Sequence, residues 1–486
     1  MLNQIEHIVV LMLENRSFDC MLGKLYAPSP QFDGLTGTEF NVDAAGNKIP
    51  VWNQPGTDPV SMVIPDPDPG ELWTDINTQL FGQPGAPAAG TIATMEGFVR
   101  NYLAQPGSPP AAYAANSVMH YFQPDQVPVI SQLARQFAVC DRWFASAPCQ
   151  TWPNRFFAHT ATANGYQNNS PTHFPYTMTT IFNRFELASI NDWKIYFHDI
   201  AQSQALSQLW LLAGHFHFFQ QFRADAQAGS LPAYCFIEPR YFADWTMPND
   251  QHPPHNVTMG EQLIADVYNC LRAGPQWTKT LLIVTCDEHG GCYDHVLPPK
   301  AEPPSAQASQ PFNFDRYGVR VPAILISPYI PQGTVLRPPG AVPFDHTSII
   351  STLRRRFPQL GPALTARDAT APDVSSALTL PAPTNLGPAK IDALPFAASP
   401  TLVASAQARP LNDMQAALVK LAANLPTGAV VPAGAATAPM VRMTVESHVQ
   451  SITGTGNEKQ PPPDIANVRQ GAAYVKQQLG HFFTAG

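Results

Sequence analysis

The run Ile8-Val9-Val10-Leu11-Met12-Leu13 limits the fold more than any other stretch of this sequence. Six consecutive apolar residues leave no polar face, so a strand formed here must be covered on both sides. Parallel sheets flanked by helices meet that condition. The run stops abruptly at Glu14-Asn15-Arg16-Ser17. In open α/β sheets ligands bind just beyond the carboxyl ends of the strands. Glu14 and Asn15 therefore either cap the following turn or hold a ligand.

The same pattern recurs along the chain. Strands are expected at Ala138–Cys140, Trp193–Phe197, Ala233–Glu238, Leu281–Cys286 and Val319–Ser327. Helices fit between them, including Thr94–Leu103, one opening near Pro153, and Met259–Ala273. This alternation predicts an α/β fold, a central mainly parallel sheet with helices on both faces. Residues 24–115 are rich in Pro, Gly, Asn and Asp, and "VIPDPDPGELW" marks the centre of a long loop. Near residue 360 the composition turns Pro/Ala/Ser-rich, which reads as a linker or wrapping segment. Amphipathic helices are expected after it at Leu411–Ala423 and Asp464–Phe483. The organisation is thus a core over 1–360, then a Pro/Ala-rich segment and helical C-terminal region over 361–486.

Bulk properties exclude several classes. At 44% hydrophobic and 13% charged residues, the 486-residue chain has ample material for a core. Its formal charge of −8, with no basic run longer than Arg354-Arg355-Arg356, argues against a nucleic-acid partner. Seven cysteines without a C-x-x-C pair argue against a zinc ribbon and leave an odd thiol. No apolar run approaches the roughly 18 residues of a membrane span. There is no leader pattern at the N-terminus. The expectation is a soluble chain, cytoplasmic or exported without a classical signal peptide.

The densest chemistry lies in "TKTLLIVTCDEHGGCYDHVLPP", where a strand runs into Asp287-Glu288-His289 and then Gly290-Gly291. Paired acids at a strand's carboxyl edge offer oxygen ligands to a divalent cation, and histidine nitrogen suits zinc or iron. A polar turn ending a strand would look the same. Glu14-Asn15 end the first strand at the same edge, so four oxygen-bearing side chains can converge there. His252 and His255, from "NDQHPPHNVTMG", can add imidazoles. His7, His159, His173, His215, His217, His448 and His481 read as structural or surface residues. Thr151, in "CQTWPNRFF", precedes the expected helix N-terminus, where N–H groups and the helix dipole favour anions. It either caps that helix or serves as a nucleophile on phosphorus.

Four ordered motifs, "ENRSFD", "TWPNR", "DEHGGCYDHVLPP" and "FDHTSIISTLRRRF", resemble those of a bacterial and plant phosphoesterase family. That family includes non-specific phospholipases C and a respiratory-burst-inhibiting acid phosphatase, and the resemblance spans roughly residues 5 to 360. It implies an alkaline-phosphatase-like core, one divalent metal (Ca, Zn, Fe or Mn) and a Ser/Thr nucleophile that forms a phospho-enzyme. By position, Glu14, Asn15, Thr151, Asp287 and Glu288 match the metal ligands. Asn15 also matches a phosphate contact, and Thr151 the nucleophile. His252 matches a histidine that contacts phosphate or protonates the leaving oxygen, and His198, in "WKIYFHD", another phosphate contact. Asp294, His295, Asp345 and His346 match residues that orient ligands.

Two departures stand out. Glu71 occupies a loop position where the family often has histidine, so it either lies outside the site or marks different leaving-group chemistry. The nucleophile loop reads Pro148-Cys149-Gln150-Thr151 where Gly-Pro-Thr is usual. The resemblance implies a phospholipase C that releases diacylglycerol and a phosphorylated head group, with possible peripheral membrane contact. Its rivals are a phosphomonoesterase acting on small phosphoesters and a degenerate lipid- or partner-binding module. A sulfatase is disfavoured, because Thr151 stands where Cys or Ser is required.

Overall fold

The computed structural model describes residues 1–88, 91–105, 114–170, 174–305, 312–426 and 464–483. The strands are β1 (His7–Leu13), β2 (Phe40–Val42), β3 (Lys48–Pro50), β4 (Ala138–Cys140) and β5 (Trp193–Phe197). They continue with β6 (Phe216–Phe218), β7 (Tyr234–Ile237), β8 (Thr280–Cys286), β9 (Ala323–Ile326) and β10 (Thr334–Leu336). Eight of them form one sheet in the order β10-β4-β9-β8-β1-β7-β5-β6, while β2 and β3 make a separate hairpin.

The sheet is mostly parallel, as the apolar runs predict. β1 pairs in parallel with β7 and β8, and β5 with β6 and β7. β9 is the exception, antiparallel to both β8 and β4. A parallel pair needs a crossover, usually a helix. Among the described residues between Cys286 and Ala323 there is no helix, so the chain turns back from the edge it has just reached.

β1 lies at the centre with every residue buried. Each apolar side chain buried here is worth about 1.5–3 kcal/mol relative to exposure. The helix Thr151–Thr160 opens two residues before Pro153, and Val257–Ala273 covers the sheet near β8. Beyond 360 the extended segment wraps that second helix. Tyr268 donates to the Pro388 carbonyl (2.6 Å), and Asn269 exchanges two bonds with the Ile391 backbone (2.8 and 2.9 Å). The helices Asp413–Asn424 and Val468–Phe483 pack on each other, and their buried residues join the same hydrophobic cluster as β1. The boundary expected at 360 thus crosses a continuous core. All seven cysteines are free thiols. His173 and His448 lie outside the described residues.

Candidate active site

Register builds the site. β1 and β8 pair from His7 with Thr280 to Leu13 with Cys286, so Glu14-Asn15 and Asp287-Glu288 leave the sheet side by side. Asn15 has a left-handed φ of 56°, a conformation that asparagine tolerates better than most residues. Its backbone N–H donates to Asp287 Oδ1 (3.2 Å), and its Nδ2 donates to Glu288 Oε1 (2.7 Å) and Glu71 Oε1 (2.6 Å). Gly290, at φ 61°, makes this closure possible, since a Cβ there would stand 2.1 Å from the Asn15 carbonyl oxygen. A Cβ on Gly291 would meet the Pro69 ring at 2.6 Å, so the loop carrying Glu71 also depends on the glycine pair.

Thr151 is the first residue of its helix and fully buried, and its hydroxyl donates to Asn15 Oδ1 (3.3 Å). It does not cap the helix; Gln150 holds the cap position, and Asn169 Oδ1 accepts from the Trp152 N–H (2.8 Å). With Pro153 lacking an N–H and Asn154 N bonded to the Gln150 carbonyl, the first turn does not present a free set of amides for an anion. Asn154 shapes the unusual loop before Thr151, with Nδ2 donating to the carbonyls of Ala147, Cys149 and Gln150 (3.2, 2.8 and 3.2 Å).

Arg155 received no role from the sequence, though it sits in "TWPNR" one helical turn from Thr151 and so on the same face. It is the clamp of the site. Nε donates to Asp287 Oδ2 (2.9 Å), and Nη2 to Glu14 Oε1 (3.2 Å) and to the carbonyls of Met12 and Leu13. Glu14 Oε1 also accepts from Gln202, whereas Glu14 Oε2 is buried without a hydrogen-bond partner among the described residues.

Asn15 and this arginine bring together Glu14, Glu71, Asp287 and Glu288, with Glu238 3.9 Å from Arg155 Nη1 and Asp68 joined to Glu71 across the His252 ring. Burial pushes Glu14, Asp68, Glu71 and Glu288 well above the usual carboxylate range, reinforced by one another's charge. Asp287 is raised by burial against the pull of Arg155. An orphaned buried oxygen among crowded acids fits a divalent cation with oxygen ligands. Glu14, Asn15, Asp287, Glu288 and the Thr151 oxygen are the groups that could hold it.

Glu71 is therefore in the site, beside His252. The His252 imidazole, 2% exposed, donates from Nδ1 to the Pro253 carbonyl (2.6 Å) and turns Nε2 toward Glu71 Oε1 (3.6 Å). Burial pushes its pKa down to about 4, below that of an ordinary imidazole. His255 pairs with Asp250 (2.7 Å), whose carbonyl accepts from the Glu14 N–H (2.7 Å). His255 thus braces the first strand's end.

His198 does not join the cluster. It donates to the Glu238 carbonyl (3.1 Å), stacks on Phe219 (4.4 Å) and lines a separate cavity against the C-terminal helix. Burial pushes its pKa down to about 3. Asp294 and His295 form a network with Asp19, Asp33 and the buried Arg320, which ties the loops after β1 and β8 together. His346 acts through the backbone. Trp143 donates to its Nδ1 (3.3 Å), which leaves Nε2–H to donate to the Asp287 carbonyl (2.5 Å). Asp345 accepts from Ser146 and Thr347. His7 bonds the Pro232 carbonyl, His159 packs on Phe236 and His215 on Trp193, while His481 is exposed.

The Phosphoesterase family model matches residues 5–359. Non-specific phospholipase C6 of Arabidopsis thaliana is 39% identical over 396 residues, covering 78% of this chain and 73% of that protein. Phospholipase C A of Mycobacterium tuberculosis is 29% identical over 435 residues, 79% of each. Among solved structures, a lipoteichoic acid synthase from Listeria monocytogenes superimposes with a TM-score of 0.30 at 13% identity, covering 57% of this chain and 70% of that one. The family model runs from just before β1 past the last motif, taking in every acid and the threonine described above, and the chain belongs to the Phosphoesterase family.

Proposed function

We propose that this enzyme, a phosphoric-ester hydrolase by family, is a metal-dependent phospholipase C acting through a phosphothreonine at Thr151. The observation that carries this reading is the Thr151 hydroxyl, buried at the head of its helix and directed at Asn15 within the acidic cluster. A bound divalent cation would lower the hydroxyl's pKa and neutralise charge on the phosphate. The chain's own part is placement. Asn15 and Arg155 fix the carboxylates, and the β1–β8 register fixes Asn15. The Thr151 oxygen gives up its proton and attacks phosphorus, the bond to the diacylglycerol oxygen breaks and that oxygen takes up a proton, and water then hydrolyses the phosphothreonine to release the phosphorylated head group. The relatives named phospholipase C support the substrate class.

The lipid reading draws further support from the sheet edge. Phe218 ends β6 and Trp245 follows β7, so both lie toward the carboxyl edge that carries the acids. They are 53% and 74% exposed, large apolar groups left in water. Arg240 lies over the Trp245 ring (4.9 Å), and with Lys476 the two aromatics line a cavity of about 410 Å³. This is a surface for peripheral contact with phospholipid; no helix among the described residues is long and apolar enough to cross a membrane. Trp245→Ala should weaken sedimentation with phosphatidylcholine vesicles severalfold, and unchanged binding would remove this surface from the reading.

Phosphorus NMR of the protein with mixed-micelle phosphatidylcholine and added divalent metals tests the reaction. Phosphocholine should appear, and Thr151→Ala should reduce its formation at least a hundredfold while the fold persists. Phosphatidic acid as product would overturn the assigned leaving group. Hydrolysis of an aryl phosphate alone would move the enzyme to the phosphomonoesterase reading.

A further inference from the structure

The proposed reaction calls for one divalent cation near Asn15, and the inference here rests on that reading. The surroundings of Glu71 do not fit a single ion. We propose that Asp68, Glu71 and His252 hold a second divalent cation beside the first.

One donor atom from each of the three residues lies within 4.8 Å of the others. Proximity alone would not make a site; the posture of His252 adds to it. Its Nδ1–H is committed to the Pro253 carbonyl, so in the neutral ring Nε2 is a lone pair. That lone pair, in a side chain 2% exposed, faces Glu71 Oε1 at 3.6 Å. Two acceptors face each other with no donor between them, beyond hydrogen-bond range. A metal-ligating histidine adopts this posture, donating one nitrogen to a backbone carbonyl and offering the other to the ion. Asp68 Oδ1 is a buried oxygen without a hydrogen-bond partner among the described residues, and it lies 3.6 Å from Nδ1 of the same ring.

Charge points the same way. Arg155 pairs with Glu14 and Asp287 and lies 3.9 Å from Glu238, whereas among the described residues no arginine or lysine pairs with Asp68 or Glu71. The second ion also changes what Glu71 does to substrate. A bare carboxylate at this position would repel a phosphodiester, whereas a cation held there attracts it. Two carboxylates and an imidazole favour manganese, zinc or iron over calcium, which prefers an all-oxygen shell.

The full-length protein, stripped with a chelator and titrated with Mn²⁺, provides the test. Mass-spectrometric metal counting should give two ions per chain. The electron paramagnetic resonance spectrum should be broadened by coupling between neighbouring ions. Glu71→Gln and Asp68→Asn should each reduce the count to one and restore the uncoupled six-line spectrum. Either variant suffices if the other fails to fold. One ion in the wild type, with phosphatidylcholine still cleaved, would overturn the second site and leave the phospholipase reading intact. Two ions that persist in both variants would overturn the ligand assignment. Two coupled ions lost on these substitutions, but with no phosphoester cleaved, would support the cation site and sink the phospholipase reading.

Discussion

Two clusters in this molecule have the same ingredients and different fates. Asp19, Asp294 and His295 bring donor atoms within 4.8 Å of one another, and so do Asp68, Glu71 and His252. In the first, Arg320 reaches Asp294 (2.9 Å) and Asp19 (3.0 Å), and His295 bonds Asp19 (2.6 Å) and Asp33 (3.1 Å). Although burial disfavours its charge, those carboxylates push His295 up to about 10. That cluster supplies its own cations and is complete as a brace between loops. In the second, His252 Nδ1 is held by the Pro253 carbonyl, Nε2 turns toward Glu71 (3.6 Å), and among the described residues no arginine or lysine pairs with Asp68 or Glu71. Residue type and spacing alone do not separate a structural ion network from a ligand site; what decides is whether the protein brings its own positive charge.

The contrast can be broken at several points. The largest effect is expected from Arg320→Met, which strands Asp19 and Asp294 in a buried setting and should cost about 3–5 kcal/mol in denaturant unfolding. Metal content should not change. A loss below about 1 kcal/mol would show that the arginine does not hold this network. The pH dependence of His295 comes next. Its folded pKa lies above its unfolded value of about 6.5, so its stabilisation is complete below pH 6.5 and lost as pH rises through about 10. With solvent screening this amounts to on the order of 1–2 kcal/mol. His295→Gln should remove that slope, and an unaltered slope would exclude His295 as its source. The smallest effect has the opposite sign. Glu71→Gln in metal-free protein keeps the oxygen that accepts from Asn15 but removes one of the crowded charges. It should stabilise by about 1 kcal/mol, and saturating Mn²⁺ should reverse the ranking. A destabilised metal-free variant would place Glu71 with the structural ion pairs instead.

These two clusters also mark where sequence stops being legible. The all-apolar runs of β1 and β8 announced buried neighbouring strands, and the acids at their ends were readable because the sheet's carboxyl edge is a fixed place. Thr151 was readable from its helix start. Arg155 was quoted in its motif but not understood, since its partners come from strand ends more than 130 residues away in each direction. Asp68 lies in a Pro-rich loop without periodicity, and nothing local places it beside His252. His198 follows a correctly placed strand, yet its ring packs on Phe219 rather than turning to the acids, a choice made by tertiary packing alone. Arg320 fell inside the strand expected at Val319–Ser327, and nothing local placed it between Asp19 and Asp294.

The central strand carries a consequence for how the protein is made. β1 has only β7 and β8 as sheet neighbours, and β7 begins at Tyr234. At roughly 5–20 residues per second of synthesis, on the order of ten to fifty seconds separate the two strands' emergence. Throughout that interval the apolar run has no sheet partner of its own chain to pair with. The segment that organises the finished site is therefore a sticky patch on the newborn chain, and expression yield should respond to chaperone supply and to elongation rate.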